Sequence, residues 1–302
     1  MDTVDATTAA RRLGGALEPV IGGVYFAPEA HRAYEVLGFD PSPGEINGVM
    51  APEGVAYFTS RGSVMGQVPG TVVAAAFAVF EPNVVVRSVA RGRQITDAAT
   101  VCAARDEGAL GQLERVLGPQ PDGLAPVTAA LARAVDGLAT VGRPLAAGVQ
   151  SLPVPDHPLG ALWRHGDLLR EFRGDSHTIA WVHAGLDAVE IGLLTERYWG
   201  LPLRTYTRTR AWSDAAFDAA EERLRSRGLL DDAGDFTDAG RATREQIEVD
   251  TDRPLAPVLA AIGDDLPMVL ERLAAWGRAI RDAKGYPGSG PHDLATAAGD
   301  RS

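Results

Sequence analysis

Residues 213–248, SDAAFDAAEERLRSRGLLDDAGDFTDAGRATREQIE, carry start and stop signals of secondary structure in an order that few folds accommodate. Ser213 is a typical helix N-cap, and Gly228 is a typical residue for ending the helix that follows. The apolar positions of that helix recur at helical spacing: Phe217, Ala220 and Leu224. Ala233-Gly234 is a turn signal between apolar residues, and Thr237 then caps another helix. The segment therefore predicts a helix, a hairpin and a second helix.

This order resembles the winged helix of the MarR-like regulators over roughly residues 160–282. The resemblance implies a C-terminal winged-helix half with a small β-hairpin wing. More of the chain resembles a group of actinobacterial helix-turn-helix proteins of unknown function. The matching segments are YFAPE, VVAAAFAVFEP, GRPLAAG, LWRHGDLLREFRGDSH, AGLDAVE, RAWSD, RLRSRGLL and VDTDR. This second resemblance spans nearly the whole chain and implies a fold and a cytoplasmic location, but no mechanism.

Amphipathic segments closed by Gly or Pro predict that the fold as a whole is mainly α. We expect helices at residues 9–22, 71–80, 96–117, 123–140, 159–172, 177–199, 213–227, 238–250, 254–263 and 267–282. Residues 141–158 contain four prolines and are the expected boundary between two halves. We therefore predict an N-terminal helical domain at 1–150, a winged-helix-like domain at 159–282 and a disordered tail at 285–302.

The chain is acidic, with 40 Asp and Glu against 29 Lys and Arg and a net charge of −11. This balance argues against a general nucleic-acid-binding protein. Residues 213–252 alone contain 12 Asp or Glu and 5 Arg, and such a surface would repel DNA phosphates. Three arginines precede this region and could touch a DNA backbone: Arg204, Arg208 and Arg210. Because they do not outweigh the acidic surface, we predict a repurposed winged helix that does not bind DNA.

A single cysteine, Cys102, excludes an internal disulfide and a thiolate zinc cluster, and we expect it to be a buried structural thiol. The N-terminal residues lack the apolar stretch of a signal peptide. The longest apolar run, residues 71–80, is about half of a membrane span. We therefore predict a cytoplasmic protein without a membrane partner.

Residues 170–177, REFRGDSH, place a histidine next to four charged residues, between two apolar segments. The Arg173-Gly174 pair can end one helix, and residues 175–176 can cap the next. This interpretation puts His177 in a first helical turn, where the helix dipole disfavours a charged imidazole. A neutral His177 could be a hydrogen-bonded core residue, a ligand or a general base. If the protein is an enzyme, we expect His177 to be its acid or base, with Arg61 or Arg173 holding an anionic group.

His183, Asp187 and Glu190 follow at spacings of four and three residues, and would share one face of the helix predicted at 177–199. Such a face could ligate a metal, pair a base with a carboxylate, or simply face solvent. Glu190 borders the apolar side of that helix. We therefore predict that Glu190 is half-buried, and we take it with His177 as the catalytic candidates.

Three histidines are candidate metal ligands: His165, His177 and His183. His165 would face His177 across the predicted helix break, and two histidines with a carboxylate suit a metal ion. A haem held by one axial histidine is a further alternative. The sequence assigns no cofactor.

Aromatic residues and arginines favour a small-molecule pocket. Arg61 lies in a Gly-rich stretch, where backbone can approach a ligand closely, and such arginines often hold carboxylates or phosphates. Its alternative is packing against Glu18 or Glu29. The predicted ligand-binding residues are Tyr25, Tyr57, Arg61, Phe77, Phe80, Arg173 and Trp181. The phosphate-loop, dinucleotide-binding, His-Glu-x-x-His and Gly-x-Ser-x-Gly motifs are missing from the sequence.

These patterns predict a small-molecule-binding protein, with enzyme activity left open, whose pocket lies between the helical domain and the winged helix. The alternatives are a ligand-responsive MarR-like transcriptional regulator, a haem- or metal-binding protein, and an interaction module without a small ligand. We expect a small-molecule ligand and a second copy of the chain, as a homodimer, to be the partners.

Overall fold

A computed structural model of the protein describes residues 3–288 and is mainly α-helical. The predicted disordered tail lies outside the described residues from position 289 onward. The elements are α1 (Thr3–Ile21), α2 (Pro28–Leu37), β1 (Glu45–Ile46), β2 (Val49–Met50), α3 (Gly54–Gly62), α4 (Gly70–Ala76), α5 (Pro82–Ile95), α6 (Ala98–Leu117), α7 (Leu124–Val135), α8 (Pro144–Ser151), α9 (Pro158–His183), α10 (Ala188–Tyr198), α11 (Asp214–Ser226), α12 (Asp238–Asp252), α13 (Ala256–Ile262) and α14 (Leu266–Asp282). Within residues 3–288, no helix is both long and apolar enough to cross a membrane.

α9 is the central helix and runs without interruption for 26 residues. The helix break predicted at Arg173-Gly174 is therefore wrong. Gly174 has no positive φ and is exposed, so it lies within the helix as a small surface residue. Arg173 is not at a helix end either, because its guanidinium reaches across to Glu248 and Asp252 of α12. The charge density of this segment reflects contacts with neighbouring helices and not a change of direction.

Buried apolar side chains form two cores. The first contains residues of α1–α8, the part of α9 up to Phe172, and residues of α13 and α14. The second contains the end of α9 with α10, α11 and α12. α9 therefore belongs to both cores, while α13 and α14 return to pack against α1 and α7. This division differs from the predicted boundary at residues 141–158, which in the structure contain α8 and pack in the first core.

Helix capping agrees with the sequence prediction in the C-terminal half. The Ser213 side chain accepts the Ala216 N–H, and the Thr237 side chain accepts the Gly240 N–H. The predicted hairpin between these helices is reduced to one antiparallel bridge, which joins Leu230 and Phe236.

Three differences from the expected elements lie in the N-terminal half. α5 is not among the expected helices, since a proline at position 82 also fits the end of the preceding apolar helix. Pro82 instead opens α5, where its missing N–H costs nothing, and the Glu81 carboxylate caps the next two N–H groups. The preceding helix, α4, ends at Ala76 and not at residue 80. Residues 45–50, for which no secondary structure is expected, contain the two-residue strands β1 and β2.

The continuity of α9 can be tested with one glycine. Gly174→Ala should stabilise the protein by about 0.5–1 kcal/mol, because alanine is favoured over glycine inside a helix and the new Cβ would meet nothing nearer than 3.8 Å. Urea denaturation measures this change. Gly108→Ala is the matched contrast, since its Cβ would lie 2.4 Å from the Ala30 Cα where α6 crosses α2, and it should destabilise. Destabilisation by Gly174→Ala would contradict a continuous helix.

Candidate functional site

A cavity of about 620 Å³ lies between the first core and the segment that follows α10. One side comes from α1, the 3-10 helix Gly22–Phe26, α3 and the turn before α5. The other comes from residues 201–210, which end in the 3-10 helix Thr207–Arg210. The aromatic and charged lining residues include Glu18, Tyr25, Tyr57, Phe58, Phe80, Arg170, Tyr206 and Arg210.

Aromatic rings form the apolar wall of this cavity. Tyr25 and Tyr57 meet edge to face at 5.1 Å between centroids, and Phe58 meets Phe80 in the same way at 4.9 Å. Phe77 packs behind Phe80 and does not line the cavity. Burial raises the pKa of Tyr25 to about 12, so its phenol stays protonated at neutral pH. Three predicted ligand-binding residues, Tyr25, Tyr57 and Phe80, are thus brought together.

Two cations at the cavity are already paired. Arg170 binds both carboxylate oxygens of Glu18, at 2.9 and 3.0 Å, and also contacts Glu171. Arg61 binds Glu171 through two nitrogens and donates to the Tyr57 hydroxyl at 3.2 Å. Burial alone would raise the pKa of Glu171, but Arg61 and Arg170 lower it to about 2. Arg61 therefore supports Tyr57 from outside the cavity, and the predicted pairing with Glu18 or Glu29 is not the one observed.

Arg210 differs from these arginines because no carboxylate pairs with it among the residues that the structure describes. Its guanidinium lies over the rings of Phe80, at 4.6 Å, and Tyr206, at 4.4 Å, and it donates to the Tyr206 hydroxyl. Burial lowers the pKa of Arg210 to about 10, so it remains charged at neutral pH.

The backbone on either side of Arg210 is tied to the first core. The Arg210 carbonyl accepts the Glu81 N–H at 2.9 Å, and the Trp212 indole N–H donates to the Val79 carbonyl at 3.0 Å. Ala211 between them has φ of 66°, a left-handed conformation that costs free energy for a residue other than glycine. These contacts fix the position of Arg210 in the protein without a ligand.

A smaller chamber of about 200 Å³ adjoins the cavity and shares Tyr206 and Arg210 with it. Two of the predicted site residues, Arg173 and His177, line this chamber. The remaining lining comes from α10, the 3-10 helix Thr207–Arg210 and α12: Ala188, Ile191, Gly192, Thr195, Trp199, Thr207, Arg244 and Glu248, with Val79.

His177 is held by α12. Its Nδ1 lies 3.0 Å from the Thr251 hydroxyl and 4.0 Å from a Glu248 carboxylate oxygen. Burial lowers the pKa of His177 to about 4, and the positive charges of Arg244 and Arg173 act in the same direction, against Glu248. His177 is therefore neutral at physiological pH. It lies in the interior of α9, however, and not in the first turn of a helix as the sequence predicted.

Glu190 and Trp181 do not reach either cavity. α9 ends at His183 and α10 begins at Ala188, so the predicted shared face of His183, Asp187 and Glu190 is wrong. Asp187 is the N-cap of α10, and Glu190 completes its capping box while also accepting from Arg223 at 2.9 Å. Trp181 packs in the second core.

The candidate metal ligands do not converge. His165 and His177 are 12 residues apart on one helix, which separates them by about 18 Å at 1.5 Å per residue. His165 instead lies in an open groove lined by α7, α8 and α9, and His183 is exposed. The part of the chain described here, residues 3–288, contains no group of three His, Cys, Asp or Glu side chains that could hold a metal ion.

Sequence reasoning missed several lining residues, namely Glu18, Phe58, Arg170, Tyr206 and Arg210 as a ligand residue. Arg210 was considered only as one of three basic residues near DNA. In the structure, Arg204 and Arg208 pair with acidic residues six to seventeen positions away, whereas Arg210 stacks on Tyr206, four positions before it. Sequence spacing alone does not separate them, because Asp214 also lies four positions after Arg210.

The neutral state of His177 predicts a pH dependence of stability. Because the folded pKa is near 4 and the unfolded value is near 6.5, the unfolded chain binds more protons between these values. The contribution of neutral His177 to the free energy of unfolding is fully present above pH 6.5. It decreases as the pH falls, by up to about 3 kcal/mol at pH 4. Urea denaturation across this range should show a shallower slope for His177→Gln than for the wild type. Equal slopes would contradict a neutral buried His177.

Comparison with known proteins places the chain in one family. A search of the curated proteins and a search of the solved structures each found no match. The model of the Helix-turn-helix family matches residues 10–287. The match includes both cores and both cavities described above. The chain therefore belongs to the Helix-turn-helix family.

Proposed function

We propose that the protein binds a small anionic molecule with an apolar body in the 620 Å³ cavity, and that Arg210 holds the anionic group. The observation that carries this proposal is a guanidinium in the cavity wall that no described carboxylate neutralises. The volume is within the range usual for small-molecule sites, which combine apolar walls with a few fixed polar groups.

Electrostatics favour an anion at this point. A charge removed from water loses hydration, and it regains free energy only from a partner. Every other arginine discussed at the cavity has a carboxylate, whereas Arg210 has only aromatic faces and a phenol hydroxyl. A ligand carboxylate or phosphate would give it a charge-assisted hydrogen bond.

The same contacts support a repurposed winged helix that does not bind DNA. We propose that α10, α11 and α12 form a MarR-like winged-helix half. Of the three arginines that could approach DNA, Arg204 binds Asp218 and Glu221, and Arg208 binds Asp214. The third, Arg210, belongs to the cavity. Because carboxylates of α11 engage Arg204 and Arg208, neither arginine is free to bind a phosphate, which supports a role of this half as scaffold for the ligand site.

The remaining predictions stay open. Enzyme activity would need a reacting group, and His177, which lines the adjoining chamber, is the titratable candidate. The haem, metal and homodimer predictions stay predictions, and an actinobacterial origin is not needed for the proposal.

The proposal can be tested with two fluorescent probes of similar shape, anionic 1-anilinonaphthalene-8-sulfonate and uncharged N-phenyl-1-naphthylamine. Arg210→Gln should weaken binding of the anionic probe by about tenfold to a hundredfold, because a hydrogen bond to a charged group contributes about 1.5–3 kcal/mol. Binding of the uncharged probe should not change. Fluorescence titration measures both affinities.

Arg208→Gln is the matched control, since Arg208 lies two residues away and is exposed and paired with Asp214. It should leave both affinities unchanged. Thermal unfolding of Arg210→Gln should occur at the same temperature or higher, because the substitution removes an unpaired cation. Equal loss of both probes, or no loss of the anionic one, would refute Arg210 as the anchor.

Family membership favours one alternative, a ligand-responsive transcriptional regulator. That function requires DNA affinity that falls steeply with salt. We expect no gel-shift retention of DNA from the promoter region of its own gene at low salt, either for the wild type or for Asp214→Asn, which would free Arg208. Retention that disappears in Arg204→Gln and Arg208→Gln would establish the regulator instead.

A further inference from the structure

The two cavities are arranged in series. Aromatic rings surround the larger one, Tyr206 and Arg210 form the shared wall, and His177 lies in the smaller chamber beyond. A ligand held at Arg210 is therefore adjacent to both spaces. The chamber, at about 200 Å³, has room for several non-hydrogen atoms, since one water occupies about 30 Å³ in the liquid.

The hydrogen bonds around His177 determine which ring nitrogen carries the proton. The Thr251 hydroxyl donates its single hydrogen to the Ile247 carbonyl at 2.7 Å. It can therefore only accept from His177 Nδ1, 3.0 Å away, so Nδ1 is the protonated nitrogen. Nε2 then carries the lone pair, and no residue from 3 to 288 donates a hydrogen bond to it.

The charges around the chamber restrict what can donate to Nε2. Arg173 faces His177 from its own helix, Arg244 and Glu248 face it from α12, and Arg210 faces the chamber from the 3-10 helix. Three arginines against two carboxylates, Glu248 and the Asp252 that binds Arg173, disfavour an ammonium group. An anionic group has no hydrogen to give. The donor that suits this position is a neutral one, such as a hydroxyl.

We propose that the chamber is a second subsite for the same ligand, in which His177 Nε2 accepts a hydrogen bond from a hydroxyl group next to the anionic group held by Arg210. This inference rests on the proposed function. The order of the two spaces gives the order of groups in the ligand: an apolar or aromatic body, a carboxylate, and a hydroxyl close to that carboxylate. The ligand class is a hydroxycarboxylic acid with an apolar body.

The test uses two acids that differ only by the hydroxyl, 3-phenyllactate and 3-phenylpropionate. Calorimetric titration of the full chain should show that the wild type binds 3-phenyllactate about tenfold more tightly. His177→Phe keeps the ring shape without an acceptor and should bind both acids with the affinity of 3-phenylpropionate. His177→Gln can place an acceptor oxygen near Nε2 and should keep part of the preference. His183→Phe, at the exposed end of α9, is the control and should behave like the wild type.

A second readout separates hydrogen bonding from packing. Thr251→Val removes the group that orients His177 while leaving the imidazole in place, so it should reduce the preference for 3-phenyllactate if Thr251 is a positioning residue. Imidazole ¹⁵N resonances should show Nδ1 protonated in the free protein, and a shift of Nε2 with 3-phenyllactate but not with 3-phenylpropionate.

The failure of this inference can be distinguished from that of the proposed function. Equal binding of both acids by the wild type would overturn the subsite and leave Arg210 as anchor. Binding of neither acid, with anionic-probe binding through Arg210 intact, would overturn the ligand class. A proton on Nε2 in the free protein would overturn the role of His177. If His177→Phe keeps the tenfold preference, the hydroxyl does not bind at Nε2.

Discussion

The structure depends on the ion pairs that α9 makes with the helices around it. Its charged residues are buried or half-buried, and all except Asp175, which accepts the Ala146 N–H, form an ion pair with a different element. The pairs are Arg164 with Asp106 and Asp167 with Arg105, both on α6; Arg170 with Glu18 on α1; Glu171 with Arg61 on α3; and Arg173 with Glu248 and Asp252 on α12. A buried charge that loses its partner costs several kcal/mol, so these pairs fix which helices may surround α9 and in which register. The segment REFRGDSH is thus a junction of helices.

The junction also explains where the cavities lie. α9 crosses from the first core to the second, and the pairs of Arg170 and Arg173 tie it to α1 on one side and to α12 on the other. The space between the cores is closed by residues 201–212, which return from α10 and bond to the first core through Glu81 and Val79. Because rigid elements hold both walls, the aromatic rings and Arg210 are positioned in advance, which reduces the ordering cost of binding.

Sequence reasoning succeeded where the physical cause is local. The caps at Ser213 and Thr237 act on N–H groups three residues away, so pattern alone locates α11 and α12. It failed where the cause is distant. The partners of Arg61 and Arg173 lie 110 and 75 or more residues away, and without them the glycine at 174 is a reasonable helix end. At the site, the sequence predicted that Tyr25, Tyr57 and Phe80 share a pocket. It could not single out Arg210, because only the three-dimensional structure shows that no described carboxylate pairs with this arginine.

Arg210 has no described carboxylate partner, although the chain contains more acidic than basic residues. The chain contains 40 acidic and 29 basic residues, and the neighbouring Arg204 and Arg208 both have acidic partners. Leaving Arg210 unpaired costs stability, since its hydration is reduced and only ring faces and one hydroxyl replace it. The unpaired guanidinium lowers the stability of the ligand-free protein, and an anion bound to it would raise that stability. Ligand binding and folding are therefore coupled. The same unpaired charge that destabilises the free protein would thus supply binding free energy to the complex.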